Sequence, residues 1–79
     1  MEPQQIIDWL VEEDVVDPGE IDATTLLLSS GILDSFTFLD LVGWIESSNN
    51  IRFDPLQFTL ENVDSVERLV AFIARKKAG

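Results

Sequence analysis

The chain of 79 residues contains no cysteine and no histidine. Without cysteine it can form no disulfide, and it offers no thiolate to zinc, to an iron–sulfur cluster or to a substrate. Without histidine it lacks the most common general base and the most common transition-metal ligand of proteins. A hydrolase of the Ser-His-Asp type is excluded, because no imidazole can take the proton of a serine. We therefore expect a protein that is not an enzyme.

Basic residues are scarce, and they are unevenly distributed. The chain has 5 basic residues and 15 acidic ones, which give a formal net charge of −10. Residues 1–51 include eleven acidic residues and no basic one. Binding to nucleic acids or to anionic membranes requires clustered Lys and Arg, so we expect neither. The acidic part of the chain either keeps the protein in solution or attracts basic partner proteins, and charge alone does not separate these interpretations.

Long apolar runs and dedicated metal-binding patterns are also missing. The most apolar stretch, residues 32–45, is interrupted by Asp34 and Asp40, so it predicts no membrane span. The N-terminus lacks the basic region of a secretory signal. The acid-rich residues 12–22 do not have the spacing of a calcium-binding loop, and we predict no metal site. The length and these absences predict a cytoplasmic monomer with a single domain, residues 1–79.

Apolar residues make up 46% of the chain, and their spacing predicts an all-α fold. It is a small bundle of three main helices plus one short helix, with a long loop between the first two helices. The first helix is predicted from Pro3 to Asp14, and the loop covers residues 17–33, with one helical turn near 23–27. A short helix is predicted from Asp54 to about Leu60.

The start of each later helix is predicted from capping residues. Asp34 is the expected N-cap of the second helix, which ends near Ser47–Asn50. Asp64 is the expected N-cap of the last helix, where Glu67 completes a capping box. Apolar residues at positions i, i+3, i+4 and i+7 mark the buried face of the second helix: Phe38, Leu41, Val42 and Ile45.

Asp34 and Ser35 are the residues with the clearest chemical potential. They can be ordinary residues of a helix start, but a serine hydroxyl at a helix N-terminus is also a favourable place for a phosphate group. The free amides and the positive end of the helix dipole stabilise an anion there. Such a serine needs no activating base of its own if another enzyme performs the transfer.

At these residues the chain resembles the acyl carrier protein family and its aminoacyl- and peptidyl-carrying relatives. The resemblance covers nearly the whole length, with Gly31–Phe36 opening the second helix and Glu61–Val66 at the entry to the last one. It implies that Ser35 receives 4′-phosphopantetheine from coenzyme A, with Asp34 as the flanking residue of the motif. The thiol of this arm would carry cargo as a thioester, which is consistent with a chain that has no sulfur nucleophile of its own.

The resemblance also implies partners. These are a phosphopantetheinyl transferase, a ligase that loads an acyl or aminoacyl group, and downstream synthases or transferases with basic docking surfaces. The second helix is the main recognition surface of the family, which assigns partner binding to Phe36, Leu39, Asp40 and Glu46. Phe36 and Gly43 depart from the family, which often has leucine and another apolar residue there.

Three functions remain open on the sequence. The first is a freestanding carrier of acyl intermediates in a fatty-acid, polyketide or related biosynthetic pathway. The second is an aminoacyl or peptidyl carrier of a nonribosomal-peptide or D-alanyl-transfer type of pathway, since the Gly-x-x-Asp-Ser spacing is similar to discrete aminoacyl or specialised acyl carriers. The third is an acidic helical adaptor that carries no cofactor.

Overall fold

A computed structural model describes residues 1–79, and it confirms the predicted all-α fold. Its four α-helices are α1 (Pro3–Glu12), α2 (Ser35–Asn49), α3 (Leu60–Val63) and α4 (Val66–Ala78). A 3-10 turn, Pro55–Gln57, precedes α3. The long connection between α1 and α2 is present and contains turns but no helix. None of the helices combines the length and the apolarity needed to cross a membrane.

The three long helices bury their apolar faces in one core of 16 residues. Trp9 of α1 stacks on Trp44 of α2, with 5.6 Å between ring centroids. The buried face predicted for α2 is confirmed, because its four apolar residues are all buried: Phe38, Leu41, Val42 and Ile45. The apolar periodicity of α2 therefore determines which side of the helix faces the core, and the opposite side faces solvent.

Four phenylalanines join α2 to the C-terminal half of the chain. The ring of Phe38 in α2 packs edge-on against Phe58, with 5.4 Å between centroids. Phe53 stacks on Phe72 of α4 at 4.7 Å, and Phe58 also contacts both of these rings. Such pairs contribute about 0.5–1.5 kcal/mol each beyond the burial of their area. This cluster holds residues 53–58 beside the N-terminal half of α2.

Several boundaries predicted from the sequence are wrong. The first helix ends at Glu12 and not at Asp14, which adopts a left-handed φ of 61°. Acidic side chains at a helix C-terminus oppose the helix dipole, so this end is weak. The short helix predicted from Asp54 consists of two pieces, the 3-10 turn and α3, because Phe58 leaves helical geometry where it enters the aromatic cluster. The helical turn near 23–27 is absent, and a hydrogen-bonded turn at 22–25 lies there instead.

The predicted start of the last helix is also wrong. Ser65, not Asp64, is the N-cap of α4, since its hydroxyl oxygen accepts a hydrogen bond from the Arg68 amide at 3.2 Å. Glu67 therefore stands in the first turn of α4 and makes no capping box with Asp64. The Asp64 carboxylate is drawn away from the helix by donors from another part of the chain.

These donors belong to the long connection, and together with Asp64 they form what we call the Asp64 clamp. Asp64 Oδ1 accepts hydrogen bonds from the amides of Leu28 at 2.7 Å and Ser29 at 3.0 Å. The Ser29 hydroxyl donates to Oδ2 at 2.6 Å, and the Leu27 amide donates to the Asp64 backbone carbonyl at 2.7 Å. Asp64 is only 2% exposed. The clamp thus fixes the connection to the junction of α3 and α4.

The clamp makes the contribution of Asp64 to stability dependent on pH. Burial raises the pKa of Asp64, but hydrogen bonds from Ser29 and Leu28 outweigh this effect and hold the pKa below its ordinary value. A carboxyl group of this kind stabilises the fold above its unfolded-state pKa of about 4, and the stabilisation is lost as the pH falls through the lower folded-state pKa.

We therefore expect Asp64→Asn to lower the free energy of unfolding by a constant amount from about pH 7 to pH 5. Below about pH 4 the difference between the variant and the wild-type protein should shrink, because both side chains become neutral. Urea unfolding at a series of pH values measures this difference. A difference that stays constant down to about pH 2 would show that the charge of Asp64 does not stabilise the fold.

Candidate functional site

Residues 27–34 carry the chain from the Asp64 clamp to the start of α2. The Gly31 amide donates to the Leu28 carbonyl at 3.1 Å, and the Leu33 amide donates to the Leu27 carbonyl at 2.9 Å. Gly31 has a φ of +85°, a left-handed conformation that favours glycine. Leu27 and Leu33 are both buried. The segment is therefore a closed turn with two apolar anchors, and it determines where α2 begins.

Asp34 caps α2 as predicted, and Ser35 follows as the first residue of the helix. Asp34 Oδ1 accepts a hydrogen bond from the Thr37 amide at 2.8 Å. This bond holds the pKa of Asp34 below its ordinary value. Ser35 is exposed, and the hydrogen bonds within the chain leave both its hydroxyl and its amide unused. The site therefore presents a free hydroxyl at the positive end of a helix of 15 residues.

Three of the four predicted partner-binding residues lie together beside Ser35. Phe36 is 79% exposed, whereas Phe38 is 7% exposed, which confirms the helix register on which the prediction depends. Leu39 is 58% exposed, and Asp40 is exposed as well. Residues three and four positions apart are neighbours on a helix surface. Phe36, Leu39 and Asp40 therefore form one continuous patch, which we call the α2 face.

The fourth predicted residue, Glu46, lies apart from the α2 face and has a structural contact of its own. It stands eleven residues after Ser35, about 16 Å farther along the helix axis. Its side chain is half-buried, and Oε2 accepts a hydrogen bond from the Phe53 amide at 2.8 Å. This contact ties the end of α2 to the aromatic cluster. This contact could not be predicted from the sequence, because the Phe53 amide belongs to a loop that has no periodic pattern.

Gly43 lies on the exposed side of α2, one turn beyond Leu39. It is exposed and has ordinary helical geometry, and a Cβ atom built on it would meet nothing within 4 Å. Glycine inside a helix costs about 1 kcal/mol relative to alanine. Neither the backbone conformation nor the packing of this chain requires a glycine there.

Gly43→Ala should therefore raise the free energy of unfolding by about 0.5–1 kcal/mol, as measured by urea unfolding. The same substitution at Gly31 is the matched control. It should be destabilising, because alanine does not tolerate the φ of +85° at that position. A loss of stability in Gly43→Ala would show that the glycine has a structural role inside the fold.

Two further exposed leucines, which the sequence patterns do not predict, lie in the 3-10 turn and at the start of α3. Leu56 is 89% exposed, and Leu60 is exposed as well. They flank Phe58, whose ring contacts Phe38 in the second turn of α2. Short irregular segments have no periodicity from which the orientation of a side chain can be predicted. Leu56 and Leu60 are thus exposed apolar residues outside the α2 face.

Most of the acidic residues in the first part of the chain lie outside α2. Of the eleven acidic residues in positions 1–51, three belong to α2 or its cap, namely Asp34, Asp40 and Glu46. Six others are exposed between positions 12 and 22, at the end of α1 and the beginning of the long connection. No three acidic side chains come together in a geometry that could hold a metal ion. Beside Ser35 the start of α2 thus presents two acids, Asp34 and Asp40, together with the exposed apolar side chains of Phe36 and Leu39.

The site can accept a group that another protein transfers to it, since it combines an exposed hydroxyl with a helix N-terminus and an exposed apolar patch. It has no imidazole or thiol with which to activate the hydroxyl itself. No model of a known protein family matches the chain, and no curated protein matches it either.

Proposed function

We propose that the protein is a carrier that receives 4′-phosphopantetheine on Ser35 and presents acyl cargo to partner enzymes. The observation that carries this proposal is the position of Ser35. It is the first residue of α2, it is exposed, and its hydroxyl is free of hydrogen bonds. The resemblance of residues 31–36 to the attachment motif of acyl carrier proteins supports the same residue.

The surroundings of Ser35 fit a covalently attached phosphodiester. The Ser35 amide is free to donate to an anionic oxygen, and the dipole of α2 favours negative charge at this end. The space beside Gly31 is open, since a Cβ atom built on this residue would meet nothing within 4 Å. When attached, the cofactor supplies a terminal thiol for thioester chemistry, which the chain itself lacks.

The attachment requires a separate enzyme and a defined leaving group. Ser35 Oγ forms a bond to the phosphorus next to pantetheine in coenzyme A, and the diphosphate bond to the nucleotide breaks. Adenosine 3′,5′-bisphosphate leaves with the electron pair, and the proton of the hydroxyl passes to a base of the transferase. A phosphopantetheinyl transferase must provide this base, because the chain has no histidine and no carboxylate bonded to the Ser35 hydroxyl.

The α2 face is the surface we assign to partner contact. Phe36 and Leu39 provide exposed apolar area next to the attachment point, and Asp40 provides a charge for a basic partner. Charge complementarity of this kind mainly increases the rate of encounter. The tethered arm then raises the effective concentration of the cargo at each active site. An aminoacyl or peptidyl cargo would use the same site and the same surface.

The proposal is tested by intact mass spectrometry after incubation with coenzyme A and a broad-specificity phosphopantetheinyl transferase. We expect a mass gain of one phosphopantetheinyl group, mapped by peptide fragmentation to residues 34–40. An established carrier protein, treated in parallel, shows that the transferase is active. No mass gain while the reference carrier is modified would refute the proposal and favour an adaptor without a cofactor.

The charge of the α2 face gives a second prediction. Asp40→Lys should lower kcat/KM for the transferase several-fold at low salt, and added salt should reduce the difference. Glu12→Lys, which makes the same change of charge on the exposed side of α1 and removes no side-chain hydrogen bond, is the matched control. Glu46 is left unchanged, since its replacement would also break the bond to Phe53. Equal rates for both variants and the wild-type protein at low salt would show that Asp40 does not guide this partner.

A further inference from the structure

We propose that Asp64 is a positioning residue for Ser35, because the Asp64 clamp holds the segment that presents the serine to its modifying enzyme. This inference rests on the proposed function. Asp64 itself does not touch the serine, and it lies at the other end of the segment, at the junction of α3 and α4. It acts by holding the backbone of residues 27–29.

The hydrogen bonds of residues 27–34 converge on this one residue. Apart from the cap on α2 and a local bond from the Ser30 hydroxyl to the Leu26 carbonyl, every hydrogen bond that leaves the segment ends on Asp64. Four donors are involved, namely the amides of Leu27, Leu28 and Ser29 and the Ser29 hydroxyl. The remaining bonds lie within the segment: the Gly31 amide donates to the Leu28 carbonyl, and the Leu33 amide and the Ser30 hydroxyl donate to the Leu27 carbonyl.

Loss of the Asp64 side chain would release residues 28 and 29, whereas the buried Leu27 keeps its hydrogen bond to the Asp64 backbone carbonyl. The carboxylate is almost completely buried, so the amides of Leu28 and Ser29 lose their acceptor if the side chain is shortened. The cap at Asp34 and the buried side chain of Leu33 would still hold the start of α2. The helix should then remain folded, while the residues between the clamp and Ser35 sample several conformations.

This kind of disorder has a characteristic kinetic signature. If only a fraction of the molecules presents Ser35 correctly, the apparent affinity of the transferase falls by that fraction, whereas the chemical step in the bound complex is unchanged. A variant of Asp64 should therefore raise KM for the carrier and leave kcat nearly constant. A merely structural residue would lower the amount of folded protein and leave the KM of the folded fraction unchanged.

The experiment compares Asp64→Ala and Asp64→Asn with the wild-type protein in transferase kinetics with coenzyme A. Asparagine keeps an acceptor for the two amides, so it should rescue most of the defect of alanine. For Asp64→Ala we expect KM to rise about fivefold to tenfold, with kcat within about twofold of the wild-type value. Asp22→Asn is the matched control, because this carboxylate of the same connection bonds only to Thr24 and Thr25 in its own turn.

Amide hydrogen exchange followed by NMR gives a readout that does not depend on the transferase. The Leu28 and Ser29 amides should exchange at least about tenfold faster in Asp64→Ala than in the wild-type protein. The amides of α4 should change only as much as the global stability of the variant changes. If Asp64→Ala does not fold, Ser29→Ala replaces it, with Ser29→Thr as the rescue. Ser29→Ala should raise KM about twofold and speed exchange of the same amides about fivefold.

The outcomes separate this inference from the proposed function. If the wild-type protein is modified and the folded Asp64→Ala variant has the same KM, Asp64 is not a positioning residue. Unchanged exchange at Leu28 and Ser29 would overturn the inference as well. If the wild-type protein is not modified while a reference carrier is, the proposed function fails, and the positioning role fails with it. A raised KM rescued by asparagine supports both.

Discussion

Replacing Ser35 with alanine should abolish the attachment of phosphopantetheine completely and leave the fold intact. The Ser35 oxygen is the atom that forms the new bond to phosphorus, so its removal eliminates the reaction and does not merely slow it. The hydroxyl makes no hydrogen bond within the chain, and its loss leaves no buried polar group without a partner. Alanine is also well tolerated in helices. Intact mass spectrometry measures the attachment, and circular dichroism with urea unfolding measures the fold.

The control for this variant is Ser48→Ala, which removes an exposed serine from the same helix but away from the α2 face. It should accept the full mass gain. A mass gain that persists in Ser35→Ala would place the attachment on another hydroxyl and would contradict the assignment of the site. If Ser48→Ala alone lost the gain, the attachment point would lie near the end of α2, far from the helix N-terminus.

The start of α2 and the exposure of its side chains could be predicted from the sequence because both depend on local patterns. The periodic apolar residues of α2 determine which side is buried, so the exposure of Phe36 and the burial of Phe38 follow from the register. Asp34 is a short acidic residue placed directly before this periodicity, and it caps the helix as predicted. The candidate site therefore rests on features within a few residues of Ser35.

The contacts that fix the site could not be predicted, because they join residues that are distant in the sequence. Asp64 precedes a helical pattern and is followed by Glu67, so local rules assign it to a capping box. In the fold its carboxylate meets amides 35 and 36 residues away, and Ser65 takes the role of the cap. Glu46 presents the same difficulty, since its partner is a loop amide. A single sequence carries no information on such distant contacts, so it does not indicate which acidic side chain will accept a hydrogen bond from a loop amide.

The second large effect is expected in the core beneath the α2 face. Ile45 is completely buried and belongs to the face of α2 that packs against the other helices. Ile45→Ala should lower the free energy of unfolding by about 2–5 kcal/mol, because the substitution removes buried apolar atoms and leaves a cavity. Small domains have free energies of unfolding near the lower end of the range of about 5–15 kcal/mol. The variant should therefore be partly unfolded at 37 °C. Urea unfolding at low temperature measures the change.

The matched control is Leu39→Ala on the exposed side of the same helix, where we expect a change below about 0.5 kcal/mol. The two variants should also differ in modification. Leu39→Ala should weaken transferase binding through the α2 face at unchanged stability, whereas folded Ile45→Ala should bind normally. The defect of Ile45→Ala should follow the fraction of unfolded protein and disappear on cooling. A loss below about 1 kcal/mol for Ile45→Ala would contradict the packing of α2, and with it the register that places Ser35, Phe36 and Leu39 on the surface.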